Sequence, residues 1–354
     1  MDVQTSPMAS LPAWDEDRVV SSVSVFPGGS VVNTARHFHS LVRGDAKLVP
    51  SLCVTLGDDA LGSIMASTLA AEGISPSRIV TAHGTPMSTC LVLVGPGGQR
   101  AFVSTRGTSN DRTTAGTVEA SGLLGDVHHL HVSGLFSTLG LQTRAFAALL
   151  KQRANEHGAE QRRRPTLSLD TQYDATARWR GAEDTVLELI QLVDVFLPNH
   201  TEACGIAAAW AADDEASALA ATGAADAATA LAALGSEPEA ALRWLMAAAP
   251  STLIVVKAGP DGALLGKHGQ GVHCVPCPPL SQELCVDTCG AGDCFSAAFL
   301  SEALPQLNSE SGALWTDPSQ DCVQAAVRTA CAAGTWCVQQ TGACVKPITR
   351  ADLL

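Results

Sequence analysis

The stretch that decides the fold is DTCGAGD, Asp287 to Asp293, which runs directly into CFSAAFLSEAL, residues 294–304. The apolar residues of the second part recur at helical spacing, so Gly290, Ala291 and Gly292 stand where a helix begins. The first amides of a helix have no internal acceptor and point outward. Small residues let an anion approach those amides closely, and the helix dipole adds attraction. Such a turn suits a phosphate, above all one whose charge develops during transfer. Asp293 falls in the first helical turn beside the same amides, where a carboxylate can take the proton of an attacking hydroxyl. The plainer alternative is a Gly-rich turn with an acidic helix cap. A bare G-x-G would favour that alternative; the full seven-residue string followed by a helix does not.

Working outward, apolar runs bounded by turn residues alternate with longer helical patterns. Residues 48–56 predict a buried strand and 60–72 a helix stopped by Gly73. LVLVGPGGQRAFVS, residues 91–104, predicts two strands joined by a Gly-rich turn. HHLHVSG (128–134), TLSLD (166–170), VDVFLPN (193–199) and TLIVVKAG (252–259) are short strands, each followed by a loop and a helix. This order predicts an α/β fold with a mostly parallel sheet and helices on both faces. Ligands of such sheets bind at the carboxyl ends of the strands. Residues 18–29, RVVSSVSVFPGG, alternate and predict a small antiparallel sheet with 91–104, separate from the main one. Residues 205–235 are rich in alanine with little large apolar surface, and predict a helical or partly mobile surface insertion. Residues 304–320, with two prolines, predict a loop.

Composition narrows the function. The chain has 354 residues, with a formal net charge of -13. So acidic a chain has no field to hold a nucleic-acid backbone or an anionic membrane. The one basic run, Arg162 to Arg164, reads as a solvated loop. There is no run of about 18 apolar residues and no charged leader followed by an apolar segment. The 12 cysteines fall largely in apolar segments, as Cys53, Cys90 and Cys331 do, and read as small buried hydrophobes in a reducing, cytoplasmic setting. Cys274 and Cys277 have C-x-x-C spacing with only His273 near as a further ligand, which favours a loop holding two thiols over a zinc site.

DTCGAGD resembles the C-terminal signature of the PfkB, or ribokinase-like, carbohydrate kinases, and further matches follow in the family's order. PGGSVVNTA, Pro27 to Ala35, resembles its di-glycine signature, and GDDALG at 57–62 its G-x-D-x-x-G segment. LPNHTEA, Leu197 to Ala203, matches the N-x-x-E motif through Asn199 and Glu202. VVKAGPDGALL at 255–265 resembles the strand and turn before the nucleotide site, and AVRTACAAGTWCVQQTGA at 326–343 the C-terminal helix that covers adenine. The resemblance spans nearly the whole chain, which implies one kinase domain over 1–354, with 18–29 and 91–104 as a β lid over the sugar.

The resemblance implies ATP-dependent phosphorylation of a sugar-like hydroxyl. Asp293 would be the base and Gly290, Ala291 and Gly292 the anion hole. Asn199 and Glu202 would order magnesium and its waters, as suits a cation that keeps most of its water shell. Lys257, Gly259, Gly292 and Cys331 would lie with Asn199 at the nucleotide. Asp287 matches a position that helps bind a monovalent cation, potassium, in many members. Gly28, Gly29 and Asn33 would contact the sugar, the glycines by close backbone approach and the amide by donating and accepting. Asp2, at the family's distance before Gly28, would hold two sugar hydroxyls. The lid often pairs with a second subunit in the family, so a homodimer is implied as well.

Two departures stand out. The family has a buried strand before the Asp matched by Asp2, so the first strand of the central sheet is expected to be missing, with strand edges exposed. Ser30 stands where ribokinases proper have Lys, as in branches that act on sugar acids, sugar phosphates or nucleosides. A phosphorylated substrate would want a cation such as Arg106, unless that residue is simply a surface arginine. A non-catalytic kinase-like scaffold and a nucleoside kinase are the competing readings. The latter would want an aromatic platform for the base. No G-x-G-x-x-G sits between an early strand and helix to suggest a dinucleotide enzyme.

Overall fold

The run Leu253–Lys257 has no polar–apolar alternation, the mark of a strand covered on both faces. In the computed structural model, which describes residues 1–96, 100–105, 109–125, 127–156, 165–307 and 317–353, this strand lies inside a six-stranded sheet. Arg106 and the run Arg162 to Arg164 fall outside the described residues, as do 308–316 of the expected loop.

Among the described residues, twelve strands form three sheets. β1 (Asp2–Thr5), β2 (Val23–Phe26), β5 (Cys90–Val94) and β6 (Arg100–Ser104) form a four-stranded sheet in the order β2-β1-β5-β6. β3 (Val54–Gly57) and β4 (Ile79–Ala82) pair in parallel on their own. β7 (His129–Ser133), β8 (Thr166–Asp170), β9 (Val195–Phe196), β10 (Leu253–Lys257), β11 (Ala263–Gly266) and β12 (His273–Val275) form the main sheet. β7 to β10 are mutually parallel, and β11 and β12 add antiparallel strands at one edge. β7 is an edge of the main sheet and β3 an edge of the small one. No strand among the described residues bridges them.

The helices are α1 (Ser30–Leu41), α2 (Ala60–Ala71), α3 (Ala115–Ala120), α4 (Arg144–Glu156), α5 (Val186–Leu192) and α6 (His200–Ala211). They continue with α7 (Glu215–Thr222), α8 (Ala227–Leu234), α9 (Pro238–Ala248), α10 (Ala291–Leu307) and α11 (Asp321–Cys337). Successive strand residues point to opposite faces. Phe196, Ile254 and Val256 accordingly join one core, with residues of α4, α5, α6 and α9. Val195, Leu197, Leu253 and Val255 join the other, with residues of α1, α10 and α11. All four side chains from Leu253 to Val256 are fully buried, each contributing roughly 1.5–3 kcal/mol. This double cover holds the carboxyl ends of β7 to β10 rigid at one rim. Among the described residues no single helix is long and apolar enough to cross a membrane.

Three expectations need correction. The strand over 48–56 is confined to Val54–Gly57; Pro50 has no N–H to give a ladder. Segments 18–29 and 91–104 share a sheet but do not touch, because β1 lies between β2 and β5. The alanine-rich stretch is not a loosely held insertion: Ala207, Ala211, Ala218, Ala230 and Leu234 are fully buried in the core that includes α9. Alanine buries little area per residue, but it lets helix backbones approach closely, so α6 to α9 pack together.

Candidate active site

Ser133, Asp170 and Lys257 are the last residues of β7, β8 and β10, and Asn199 follows β9 and bridges to Lys257. Four parallel strands thus deliver their polar ends to one rim. The start of α10 faces them. Gly290 has φ 75, a conformation that favours glycine, and a Cβ there would collide with the Ala343 carbonyl. A Cβ on Gly292 would lie 3.4 Å from Lys257 Nζ, which puts the ammonium beside the turn.

Asp293, in the first turn of α10, is 6% exposed. Its Oδ1 accepts from Ser30 Oγ at 2.7 Å and from Gln172 Nε2 at 3.1 Å, and its Oδ2 from Asn33 Nδ2 at 2.9 Å. Ser30 Oγ also hydrogen-bonds Ser133 Oγ. Burial raises the Asp293 pKa, and the Asp170 carboxylate adds to it. The Ser30 and Asn33 hydrogen bonds oppose the rise, leaving it at about 7.

Behind the turn, Lys257 Nζ donates to Asp170 Oδ2 at 2.7 Å, and Ser296 Oγ donates to the same oxygen at 3.1 Å. Burial by itself would push the Lys257 pKa down, but Asp170, Glu202 and Asp293 outweigh it and hold the ammonium charged. Asn199 and Glu202 form a capping box on α6: Glu202 N–H donates to Asn199 Oδ1 at 2.9 Å, and Asn199 N–H to Glu202 Oε2 at 3.1 Å. Glu202 is 1% exposed. Burial, then Asp170, raises its pKa to about 8 against the pull of Lys257. Asp170, Glu202 and Asp293 thus all act on the Lys257 ammonium.

On the other side of Ser30 lies a cavity of about 200 Å³, lined by Asp2, Gly28, Gly29, Ser30, Ser133 and Gln172 among others. No aromatic ring is among its described lining residues. A Cβ on Gly28 would collide with the Asp2 carboxylate, so β1 and the turn before α1 meet through that glycine. Gly29 has φ 101 and caps α1, which puts Ser30 at the first helical position. The cavity stops short of Asp293, which Ser30, Asn33 and Gln172 screen from it. Asn33 is 3% exposed and its Oδ1 has no hydrogen-bond partner.

The structure therefore gathers Asp2, Gly28 and Gly29 at the cavity. It gathers Asn33, Gly290, Ala291, Gly292 and Asp293 at the turn, and Asn199, Glu202 and Lys257 at the strand rim. Gly259 is exposed in the turn after β10. Cys331 is 1% exposed, with its thiol directed at the Val275 carbonyl, so its side chain faces the core rather than a ligand. Cys277, half-buried, lies 3.4 Å from the Gly259 carbonyl, while Cys274 is exposed. Asp287 is 1% exposed and already surrounded by protein donors. Sequence reasoning missed Ser133, Asp170, Gln172 and Ser296. The strand-end rule could have found Ser133 and Asp170. Gln172, at φ 61, carries no sequence signal.

The family model described as pfkB family carbohydrate kinase matches residues 9–350. Among solved structures, ribokinase from Giardia lamblia superposes with a TM-score of 0.74 at 18% identity, covering 99% of this chain and 95% of that one. Fructokinase with bound ATP from Xylella fastidiosa gives a TM-score of 0.68 at 17% identity, covering 99% and 93%. Fructokinase from Vibrio cholerae in its fructose-, ADP- and calcium-bound form gives 0.63 at 18% identity, covering 99% and 94%. At these identities the structures speak for the ribokinase-like fold.

Proposed function

The chain belongs to the pfkB family of carbohydrate kinases, and we propose that it moves the γ-phosphoryl group of ATP onto a hydroxyl of a small sugar, with Asp293 as general base. One observation carries this reading. Asp293, whose pKa burial raises to about 7, stands in the first turn of α10 beside the Gly290–Gly292 amides, with Ser30 and Gln172 between it and the cavity. A base poised near neutrality is matched to taking a hydroxyl proton. The sugar hydroxyl takes the place of Ser30 or Gln172 on Asp293 Oδ1, and the carboxylate accepts its proton as the oxygen attacks phosphorus. The amides of the turn and the Lys257 ammonium hold the negative charge that builds on the transferring group. Asp2 and Asn33 orient the sugar; the unpartnered Asn33 Oδ1 is an acceptor ready for a hydroxyl.

Magnesium fits the donor set. Asp170, Glu202 and Asp293 gather near Lys257, and the raised proton affinity of Glu202 and Asp293 marks carboxyl groups that a hard divalent cation would help to ionise. Glu202 and Asn199 would hold it through its waters, and it would neutralise phosphate charge. The fructokinases noted above were solved with ATP and with ADP and calcium, which supports a nucleotide and a divalent cation here. A cavity with no aromatic ring among its described lining residues favours a sugar over a nucleoside.

A homodimer is part of the same reading. Val25, Val3, Leu91 and Val103 lie in one register row across the four-stranded sheet. Val25, Leu91 and Val103 are 44%, 42% and 57% exposed. A second copy of the chain would cover this apolar row.

The test is ADP release by purified protein with ATP, magnesium and a panel of pentoses, hexoses, sugar acids, sugar phosphates and nucleosides. Turnover with a sugar, lost in Asp293→Asn while ATP binding persists, supports the proposal. Folded protein that binds ATP but turns over no polyol would point to a scaffold instead.

A further inference from the structure

Resting on the kinase reading, we infer that Arg100 is a positioning residue for the anion hole. From the lid sheet its guanidinium takes the cationic place at Asp287, so that this carboxylate holds no monovalent ion.

A carboxylate offers about four lone-pair sites. Four donors fill them at Asp287. Oδ1 accepts from Cys289 N–H at 2.7 Å and pairs with Arg100 Nη2 at 2.8 Å. Oδ2 accepts from Gly342 N–H at 2.8 Å and from Gln4 Nε2 at 3.3 Å. Arg100 Nη2 also donates to the Val286 carbonyl at 3.3 Å, so the neighbouring backbone oxygen is engaged too. The Arg100 and Asp287 side chains are 7% and 1% exposed. A potassium ion would have to displace one of these donors and then share a dry site with a guanidinium, which like-charge repulsion forbids. The residues present therefore do not fit the ion that the sequence led us to expect at Asp287.

The same contacts give Arg100 a task. Arg100 comes from β6 and Gln4 from β1, two strands of the sheet whose residues Asp2 and Cys90 line the sugar cavity. Their grip on Asp287 fixes the bond to Cys289 N–H, which sets the turn that carries Gly290 at φ 75 into α10. Gly342 ties in the loop whose Ala343 carbonyl abuts Gly290. One carboxylate thus joins lid, turn and C-terminal loop. A small misplacement of the anion-hole amides is enough to slow transfer strongly, so an intact Arg100–Asp287 pair makes lid position and anion-hole geometry a single unit. Sequence reading could not pair residues 100 and 287, since nothing in either motif points to the other.

The experiment compares wild type, Arg100→Ala and Arg100→Lys in potassium, guanidinium and tetramethylammonium chloride at equal low ionic strength. Melting temperature and ADP release are both read. Wild type is expected to melt alike in potassium and tetramethylammonium and to turn over alike in all three salts, because no cation binds selectively to the folded state. Arg100→Ala is expected to lose roughly 10- to 100-fold in kcat with little change in the KM for ATP. Part of that loss should return in potassium or guanidinium but not in tetramethylammonium, and Arg100→Lys should keep most of the wild-type rate. A wild-type melting temperature that rises in potassium over tetramethylammonium would overturn the inference. So would an Arg100→Ala protein as active as wild type, or one whose loss no cation restores. If wild type phosphorylates no sugar, the kinase reading fails, while the melting temperatures of wild type still decide whether Asp287 binds an ion.

Discussion

Asp287 and Asp293 stand at the two ends of one seven-residue string and both are almost fully buried, yet their surroundings are opposite. Asp287 receives two backbone amides, a side-chain amide and a guanidinium. Asp293 receives only neutral side-chain donors and has the Asp170 carboxylate for a neighbour, and its affinity for a proton rises accordingly. The difference teaches where strain between stability and function is kept. A carboxylate whose charge is fully matched serves as an anchor. One buried without a counter-ion of its own is costly to ionise and ready to take a proton.

Substitution of each by Asn should separate the two most sharply. Asp293→Asn is expected to lower kcat by roughly 10²- to 10⁴-fold and to raise the melting temperature. The sign follows from linkage. The folded pKa of Asp293 is raised from an ordinary 3.8 to about 7. Its burial therefore costs stability increasingly as pH climbs through that window, and at a constant level above it. The stabilisation by Asn should be larger at pH 8 than at pH 5, read by calorimetry. Asp287→Asn should do the reverse. It takes the negative charge away from beside the buried Arg100 guanidinium, a loss of about 3–5 kcal/mol, and the melting temperature should fall. If both variants moved it in the same direction, the contrast drawn above would be wrong.

The contrast was only half legible in the sequence. The turn could be read because its parts are contiguous: small residues, a helical period and an acidic first turn all lie within DTCGAGDCFSAAF, residues 287–299. The environment of Asp293 could not be read, because Ser30 and Asn33 reach it from α1, Asp170 from the end of β8 and Gln172 from the loop after it. The strand order was expected from alternating strand and helix signals, but β1 as an inner strand of the four-stranded sheet was not, since four residues of DVQT carry no period long enough to assign. The alanine-rich stretch is helical, as expected, but its burial was misjudged because apolar side-chain size was weighed and close backbone approach was not. Chemistry carried by one segment can be read from a single chain; chemistry assembled from several needs the fold.

A gentler probe acts on Asp293 without removing it. The Ser30 hydrogen bond lowers the Asp293 pKa, so Ser30→Ala should raise it. The pH profile of kcat/KM for wild type is expected to fall on the acid side with a midpoint near 7. In Ser30→Ala that limb should move to higher pH, by up to about one unit, while the plateau rate changes less than it does in Asp293→Asn. A limb that stayed in place would mean that the titrating group is not Asp293.

The smallest effect on turnover belongs to the outer face of the four-stranded sheet, far from either carboxylate in its chemistry. Leu91 is opposite both Val3 and Val103 and is 42% exposed. A glutamate there would bring like charges together across the axis of a two-fold assembly, in a chain already at -13. On the homodimer proposal, wild type is expected to sediment as a dimer and Leu91→Glu as a monomer, with a melting temperature lowered only by the lost association. Its turnover should drop only as far as loss of the partner loosens the sheet that carries Gln4 and Arg100. Combined with Arg100→Ala it should cost less than the product of the two separate losses, because both act on the same link between lid and turn. Independent, multiplying losses would place the sheet's outer face and the Arg100–Asp287 pair in separate mechanisms.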